Sequence, residues 1–152
     1  MNAGDQAQDE VLHMNREFDA PVEKLVEAFT NPAVMTQWWG PEGMQVYRCE
    51  VDLQPGGAWC VGLLGADGEP RDVSGRFTQV EDRAIAFTWR WHYEGASDVE
   101  TLVSIAFEHI SDLRSAIHLT QQTFASVADR DNHKGGWTSS FGCLDNYLKD
   151  NR

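Results

Sequence analysis

The side chains that periodicity places to do chemistry inside this protein are few. Tyr93, Thr101 and Cys49 fall on the inward parity of segments with strand spacing, and Gln121 or His118 joins them depending on the parity of the last such segment. General acid or base catalysis needs a titratable group held against the reacting atom. His118 could act as a base with Tyr93 or Arg16 orienting an enolate oxygen, but no acidic pair stands beside them, and a strand histidine serves equally as a hydrogen-bonded residue of the outer face. No catalytic residue is assigned on this basis.

Metal chemistry has one cue. Asp129-Arg130-Asp131-Asn132-His133 alternates oxygen ligands as a calcium loop begins, yet lacks the glycine and closing glutamate such a loop needs. The segment is expected to be a solvated loop in which Asp131 or Asn132 caps the next helix. Cys49, Cys60 and Cys143 are odd in number and without C-x-x-C spacing, so neither a disulfide framework nor a zinc site is encoded. Cys49 and Cys60 flank the turn at Pro55-Gly56-Gly57 and are expected as small buried thiols. No metal and no cofactor is expected.

Aromatic surface is the stronger signal. Gln37-Trp38-Trp39-Gly40-Pro41-Glu42-Gly43 sets two tryptophans before a Gly-Pro reversal, one expected to plug the end of a sheet and the other to gate a hollow. Ile85, Phe87, Trp89, Trp91 and Tyr93 share one parity of a single segment, which makes that parity the inward one. With Trp39, Trp59, Phe77, Thr101, Phe107, Trp137 and Phe141, the residues Phe87, Trp89, Trp91 and Tyr93 either line a pocket for an apolar molecule or fill the space outright. Both alternatives stand at this point.

The elements that must position these residues emerge from spacing and turn chemistry. After a loose polar tail over residues 1–9, residues 10–150 read as one domain. Leu12, Met14 and Phe18 alternate as a first strand, interrupted on that face by Arg16; Val22, Leu25, Val26 and Phe29 trace an amphipathic helix. Asn31-Pro32 ends it and starts a second short helix that closes near Gly40. Six strand-length segments come next, at 44–53, 58–65, 72–80, 84–93, 100–110 and 114–124, separated by short turns. By the same parity Tyr47, Cys49, Val51 and Leu53 face inward. A polar loop over 125–134 then leads to a long C-terminal helix carrying Trp137, Phe141, Leu144 and Leu148. The fold class is α+β, a helix-grip arrangement: a curved antiparallel sheet of about seven strands, two short helices after the first, and the long helix covering its apolar face.

Charge excludes some partners. Among 152 residues, 24 Asp and Glu against 12 Lys and Arg give a formal charge of -12, which repels nucleic-acid phosphates and anionic membrane surfaces. The first ten residues have neither the basic start nor the apolar run of a signal peptide, and no stretch approaches a membrane span; the expectation is a cytoplasmic protein. Sheet edges and the Trp38-Trp39 turn leave monomer and homodimer both open.

Arg16, Pro21, Trp38-Trp39-Gly40-Pro41-Glu42-Gly43, Asp52 with Pro55-Gly56-Gly57-x-Trp59, the Asp67-Gly68 turn, Gly75, Trp89 and Gly136-Trp137 together carry a resemblance over about residues 10–150. The chain resembles the family named after activators of heat-shock protein 90 ATPase, within the START-like, or SRPBCC, superfamily. The resemblance implies a helix-grip fold around a deep apolar cavity. It also implies a range of roles: binding of a small hydrophobic or aromatic molecule first, a chaperone-interaction module linked to stress response second, and a polyketide cyclase-like enzyme third.

Overall fold

Alternating burial along Leu12–Phe18 (β1) turns Leu12 and Phe18 into the interior with Met14 beside them. The computed structural model describes residues 11–40, 43–93, 95–96 and 99–151. The expected tail over residues 1–9 lies outside these, as do Pro41, Glu42, Glu94 and Ser97 of two expected turns. The remaining strands are β2 (Gln45–Val51), β3 (Ala58–Leu64), β4 (Pro70–Glu81), β5 (Ala84–His92), β6 (Thr101–Ser111) and β7 (Arg114–Gln122). They form one antiparallel seven-stranded sheet in the order β1-β7-β6-β5-β4-β3-β2. Each hairpin partner is its neighbour, and β1 closes onto β7 with Leu12 opposite Gln121.

Helices α1 (Val22–Thr30) and α2 (Pro32–Trp38) share one hinge residue. The Asn31 backbone N–H bonds Glu27 O at 2.9 Å and ends α1. Its side chain accepts from Ala33 N at 3.0 Å and starts α2, with Pro32 in the first turn where a missing N–H costs nothing. At the end of α2, Gly40 has φ +96° and its Cα faces Leu63, whose Cδ2 would lie 2.8 Å from an added Cβ. Chain reversal and close approach both require glycine there.

Helix α3 (Val127–Asp150) begins earlier than its apolar spacing indicates. Ser126 accepts a bond from Asp129 N at 3.1 Å, so the expected polar loop over 125–134 is helical from Val127 onward. Asp131 and Asn132 lie within the helix and are not its caps. At about 1.5 Å per residue its 24 residues span roughly 36 Å.

Two expected inward residues point out. Tyr47 is 51% exposed because the β2–β3 register shifts between Val46 and Arg48, and one extra residue flips parity. Val46 packs on the core in place of Tyr47, while Cys49 and Val51 face inward as expected. The Tyr47 ring lies over Gly62, where a Cβ would come 2.6 Å from it, and its hydroxyl bonds Asp72. Leu53, 43% exposed, lies past the end of β2.

The glycine-tryptophan spacing of β3 and β4 also has a local cause. Gly75 stands opposite Trp59, and an added Cβ would lie 1.8 Å from Thr88 O. That carbonyl accepts from Trp59 Nε1 at 3.1 Å. Gly75 thus lets β4 approach β5 closely at the point where Trp59 reaches across. Gly75→Ala is expected to destabilise the protein by about 2–3 kcal/mol through forced backbone movement. By contrast Gly135→Ala, on exposed α3 surface with nothing within 4 Å of the new Cβ, is expected to stabilise it by about 0.5–1 kcal/mol. Urea unfolding of the two variants checks both signs.

Candidate functional site

Helix α3 presents two different inner surfaces to the sheet. Its C-terminal half buries Phe141, Leu144 and Leu148, with Phe141 edge-on to Phe18 at 6.1 Å. Further toward its N-terminus the same face offers Ser140 and Gly136, each one turn apart from the next and with little or no side chain. The space left opposite β5 is a cavity of about 250 Å³. Trp38, Trp39 and Gly40 close it from the end of α2, Leu63 and Trp89 from the sheet, and Trp137 and Ser140 from α3. Met44, Arg71, Trp91, Tyr93, Asp129, Asn132 and His133 complete the wall toward solvent, where Tyr93 is 38% exposed. The Arg71 guanidinium stands 5.1 Å over the Tyr93 ring and bonds Asp67 at 3.0 Å.

Of the residues expected to line a pocket, Trp39, Trp89, Trp91, Tyr93 and Trp137 border this cavity. Trp59, Phe77, Phe87, Thr101, Phe107 and Phe141 do not; all six are buried, and Trp59 and Phe77 also border the hollow on the outer face of β2–β5. Packed rings thus lie on one side of Trp89 and a hollow on the other. Trp38 and Trp39 are both buried, at 3% and 6% exposure, and both border the cavity. Arg71, Asp129, Asn132, His133 and Gly136 escape the sequence reading. The helical series His133, Trp137, Phe141 was the signal available for the α3 members.

Polar groups around the cavity are tightly coupled. Trp137 Nε1 donates to Gln121 Oε1 at 2.8 Å, Gln121 Nε2 donates to Thr101 Oγ1 at 2.8 Å, and Thr101 Oγ1 donates to Trp89 O at 3.3 Å. His133 is held at both nitrogens: Nε2 lies 3.0 Å from Trp91 Nε1 and Nδ1 lies 2.8 Å from Asp129 O. An indole N–H only donates, so Nε2 accepts and Nδ1 carries the proton. Trp89 Nε1 alone is buried without an acceptor among the described residues.

Other candidate groups lie elsewhere. His118 is on the outer face, 2.7 Å from Asn15 Oδ1 and 2.7 Å from Glu108 Oε1, so it cannot serve as a base inside. Cys49 faces the core 3.9 Å from Met35 Sδ, whereas Cys60 lies 3.4 Å from Glu50 Oε2. The pairing places Val61, not Cys60, opposite Cys49. Among the described residues no group of three His, Cys, Asp or Glu could hold a metal ion, and no helix is long and apolar enough to cross a membrane. A broader and more open hollow on the outer face of β2–β5 is lined in part by Arg48, Glu50, Arg76 and Arg90, without a comparable aromatic enclosure.

A seven-stranded antiparallel sheet gripping a C-terminal helix is the fold of START-like, or SRPBCC, proteins. Residues 19–149 match the family model of Activator of Hsp90 ATPase homolog 1-like protein, and the chain belongs to that family. It is similar to the AHSA1 protein from Silicibacter pomeroyi, with 28% identity and a TM-score of 0.83 over 93% of this chain and 99% of that one. A protein from Rhodobacter sphaeroides shares the fold at 22% identity and TM-score 0.79, covering 93% and 94% of the two chains. One from Nitrosomonas europaea does so at 22% and 0.79, covering 95% and 97%. No curated protein matches the sequence.

Burial, with smaller contributions from Cys60 and Glu50, pushes the Cys49 thiol up from 9.0 to about 11. The folded state holds this proton more tightly than the unfolded chain, so the stability it contributes is present below pH 9 and lost as pH rises through about 11. Labelling of Cys49 by iodoacetamide, analysed by peptide mass spectrometry, is expected to keep accelerating between pH 9 and 11. An unburied thiol, already about half ionised at pH 9, would gain no more than about twofold over that interval and level off by about pH 10.

Proposed function

We propose that the protein binds a small, flat, apolar molecule in the cavity between β5 and the N-terminal half of α3, and that it binds rather than transforms it. The observation that carries this is the opening left by Gly136 and Ser140 opposite a wall of tryptophans. Its volume of about 250 Å³ exceeds the ~150 Å³ that admits benzene and approaches the ~300 Å³ at which ordinary ligand pockets begin. One or two fused rings fit. Indole faces and edges supply both apolar area and directional ring contacts, each worth ~0.5–1.5 kcal/mol beyond burial. Proton-transfer groups are scarce at depth, and His133 already uses both nitrogens.

Naphthalene is a suitable probe, read by quenching of tryptophan fluorescence, and a ten-carbon ligand in such a site should bind at roughly 10–100 μM. Gly136→Leu places a side chain at a cavity-wall position of α3 while raising helix propensity. It is expected to weaken naphthalene at least about tenfold without lowering the melting temperature. Unchanged affinity in that variant, or no binding to the wild type, would remove the proposal.

The family description together with the formal charge of -12 favours a second reading, a module that engages a chaperone ATPase through its acidic surface. Under it, association weakens steeply between low and physiological salt, because exposed charges are screened within about 8 Å at 0.15 M. Absence of ATPase stimulation at every salt concentration retires this reading and leaves the cavity proposal untouched.

A further inference from the structure

Carboxylates outnumber cations two to one in this chain, 24 to 12, so an arginine without an acidic partner stands out. Arg16, Arg48, Arg71, Arg83, Arg114 and Arg130 each hold a carboxylate at 3.8 Å or closer. Arg76 and Arg90 hold none among the described residues. Both are exposed, and both border the same hollow of about 940 Å³ on the outer face of β2–β5.

Strand register brings the two together. Val73 and Trp89 are buried, so Ser74 and Arg90 beside them point outward, and they stand opposite each other on β4 and β5. Arg76 is the next outward residue along β4, roughly 7 Å on. His92 is the next along β5, and its Nε2 lies 2.6 Å from Ser74 Oγ. Most of the acid around the hollow is already engaged: Glu50 takes Arg48 at 2.8 Å and the Cys60 thiol at 3.4 Å, and Asp52 accepts from Gln54 at 3.0 Å. Glu100 remains on the rim and pairs with neither arginine.

We propose that Arg76, Arg90 and the Ser74 hydroxyl form a site for the phosphate of a small phosphate monoester, independent of the cavity between β5 and α3. A guanidinium presents five N–H donors and no acceptor. Arg76 uses one on Gly56 O at 3.0 Å, which steadies the side chain, and keeps the rest. With its proton on Nε2, His92 donates to Ser74 Oγ and leaves the Ser74 O–H to donate outward. Donors arriving from two strands and at three points suit a tetrahedral anion with three free oxygens better than a planar carboxylate with two, and hydrogen bonds to charged groups are the strong ones. The formal charge of -12 repels a long polyanion over the whole surface, whereas a single phosphate meets the two arginines at short range. It fills a small part of the hollow, which leaves room there for the organic group.

The test titrates phenyl phosphate and benzoate into the wild-type protein at low salt, followed through the backbone and the arginine Nε–H resonances. Phenyl phosphate is expected to bind at roughly 1 mM and about tenfold more tightly than benzoate. It should move the Nε–H resonances that are missing from Arg76→Gln and Arg90→Gln. Each of these variants is expected to weaken it about tenfold with the melting temperature unchanged. Arg83→Gln makes the same change of charge at an exposed arginine that pairs with Glu23, and is expected to keep the affinity within about twofold. An equal loss in Arg83→Gln reduces the effect to net charge and overturns the proposal, as do equal affinities for the two anions or no binding to the wild type. Binding that survives both Arg76→Gln and Arg90→Gln but is lost in Gly136→Leu puts the phenyl ring in the cavity and also overturns it. A phosphoserine peptide that binds at least about tenfold more tightly than phenyl phosphate assigns the arginines to a protein partner and overturns the small-molecule assignment.

Discussion

The buried bond from Trp137 to Gln121 is the constraint on which the arrangement of helix and sheet depends. Apolar packing is non-directional and would tolerate α3 at neighbouring positions along the sheet. A polar chain sealed in the interior does not. Gln121 is fully buried and uses both ends of its amide, accepting from Trp137 and donating to Thr101. Sliding α3 by one turn, about 5.4 Å, would strand the indole N–H and the amide oxygen together, each at a cost of ~1–3 kcal/mol. The register so fixed is what brings Gly136 and Ser140 opposite Trp89 and thereby sets where the cavity lies.

What keeps that space from collapsing is the way the rings meet. Trp39, at the end of α2, has ring neighbours in Phe29, Trp38, Trp59, Trp89 and Trp137 at 5.2–6.3 Å, all tilted or edge-on. Such contacts brace one another from three structural layers, and a braced indole cannot swing inward without losing several partners at once. The hinge at Asn31, the turn at Gly40 and the Ala28 carbonyl that holds Trp38 all serve to place this one side chain. The paired tryptophans are thus at once core and cavity wall.

Much of the fold was legible because period and punctuation agree. β5 declares its inner face through Phe87, Trp89 and Trp91, and Asn31-Pro32 marks the helix boundary by chemistry the structure uses directly. The bulge at Tyr47 was not legible, since the alternation of Tyr47, Cys49 and Val51 reads as unbroken, yet one extra residue turns Tyr47 out and gives its inward place to Val46 while Cys49 and Val51 keep theirs. The first turns of α3 were hidden for a different reason. Asp129 to His133 are polar, and only the cap at Ser126 identifies them as helical. The site was half legible. Parity tells which residues point inward, but whether an inward ring meets another ring or a hollow depends on the partner across the gap. Phe87 and Trp89 look alike in sequence; what separates them is what lies opposite, and for Trp89 that includes the small residues of α3.

The same segments that create the hollow also fix the polar side chain nearest its aromatic wall. His133, the imidazole in its wall, is held between the Trp91 N–H, which its Nε2 accepts, and the Asp129 carbonyl, which lies 2.8 Å from its Nδ1. The fold itself does not impose this. Positions 136 and 140 of α3 and 91 of β5 could change in size with little effect on the strands and caps that define the architecture, because none of them supplies a turn or a cap. A fold whose stability and whose cavity chemistry reside in different residues can carry unrelated ligands on one frame. In this chain the cavity owes its place to two small helical residues, Gly136 and Ser140, set across from Trp89.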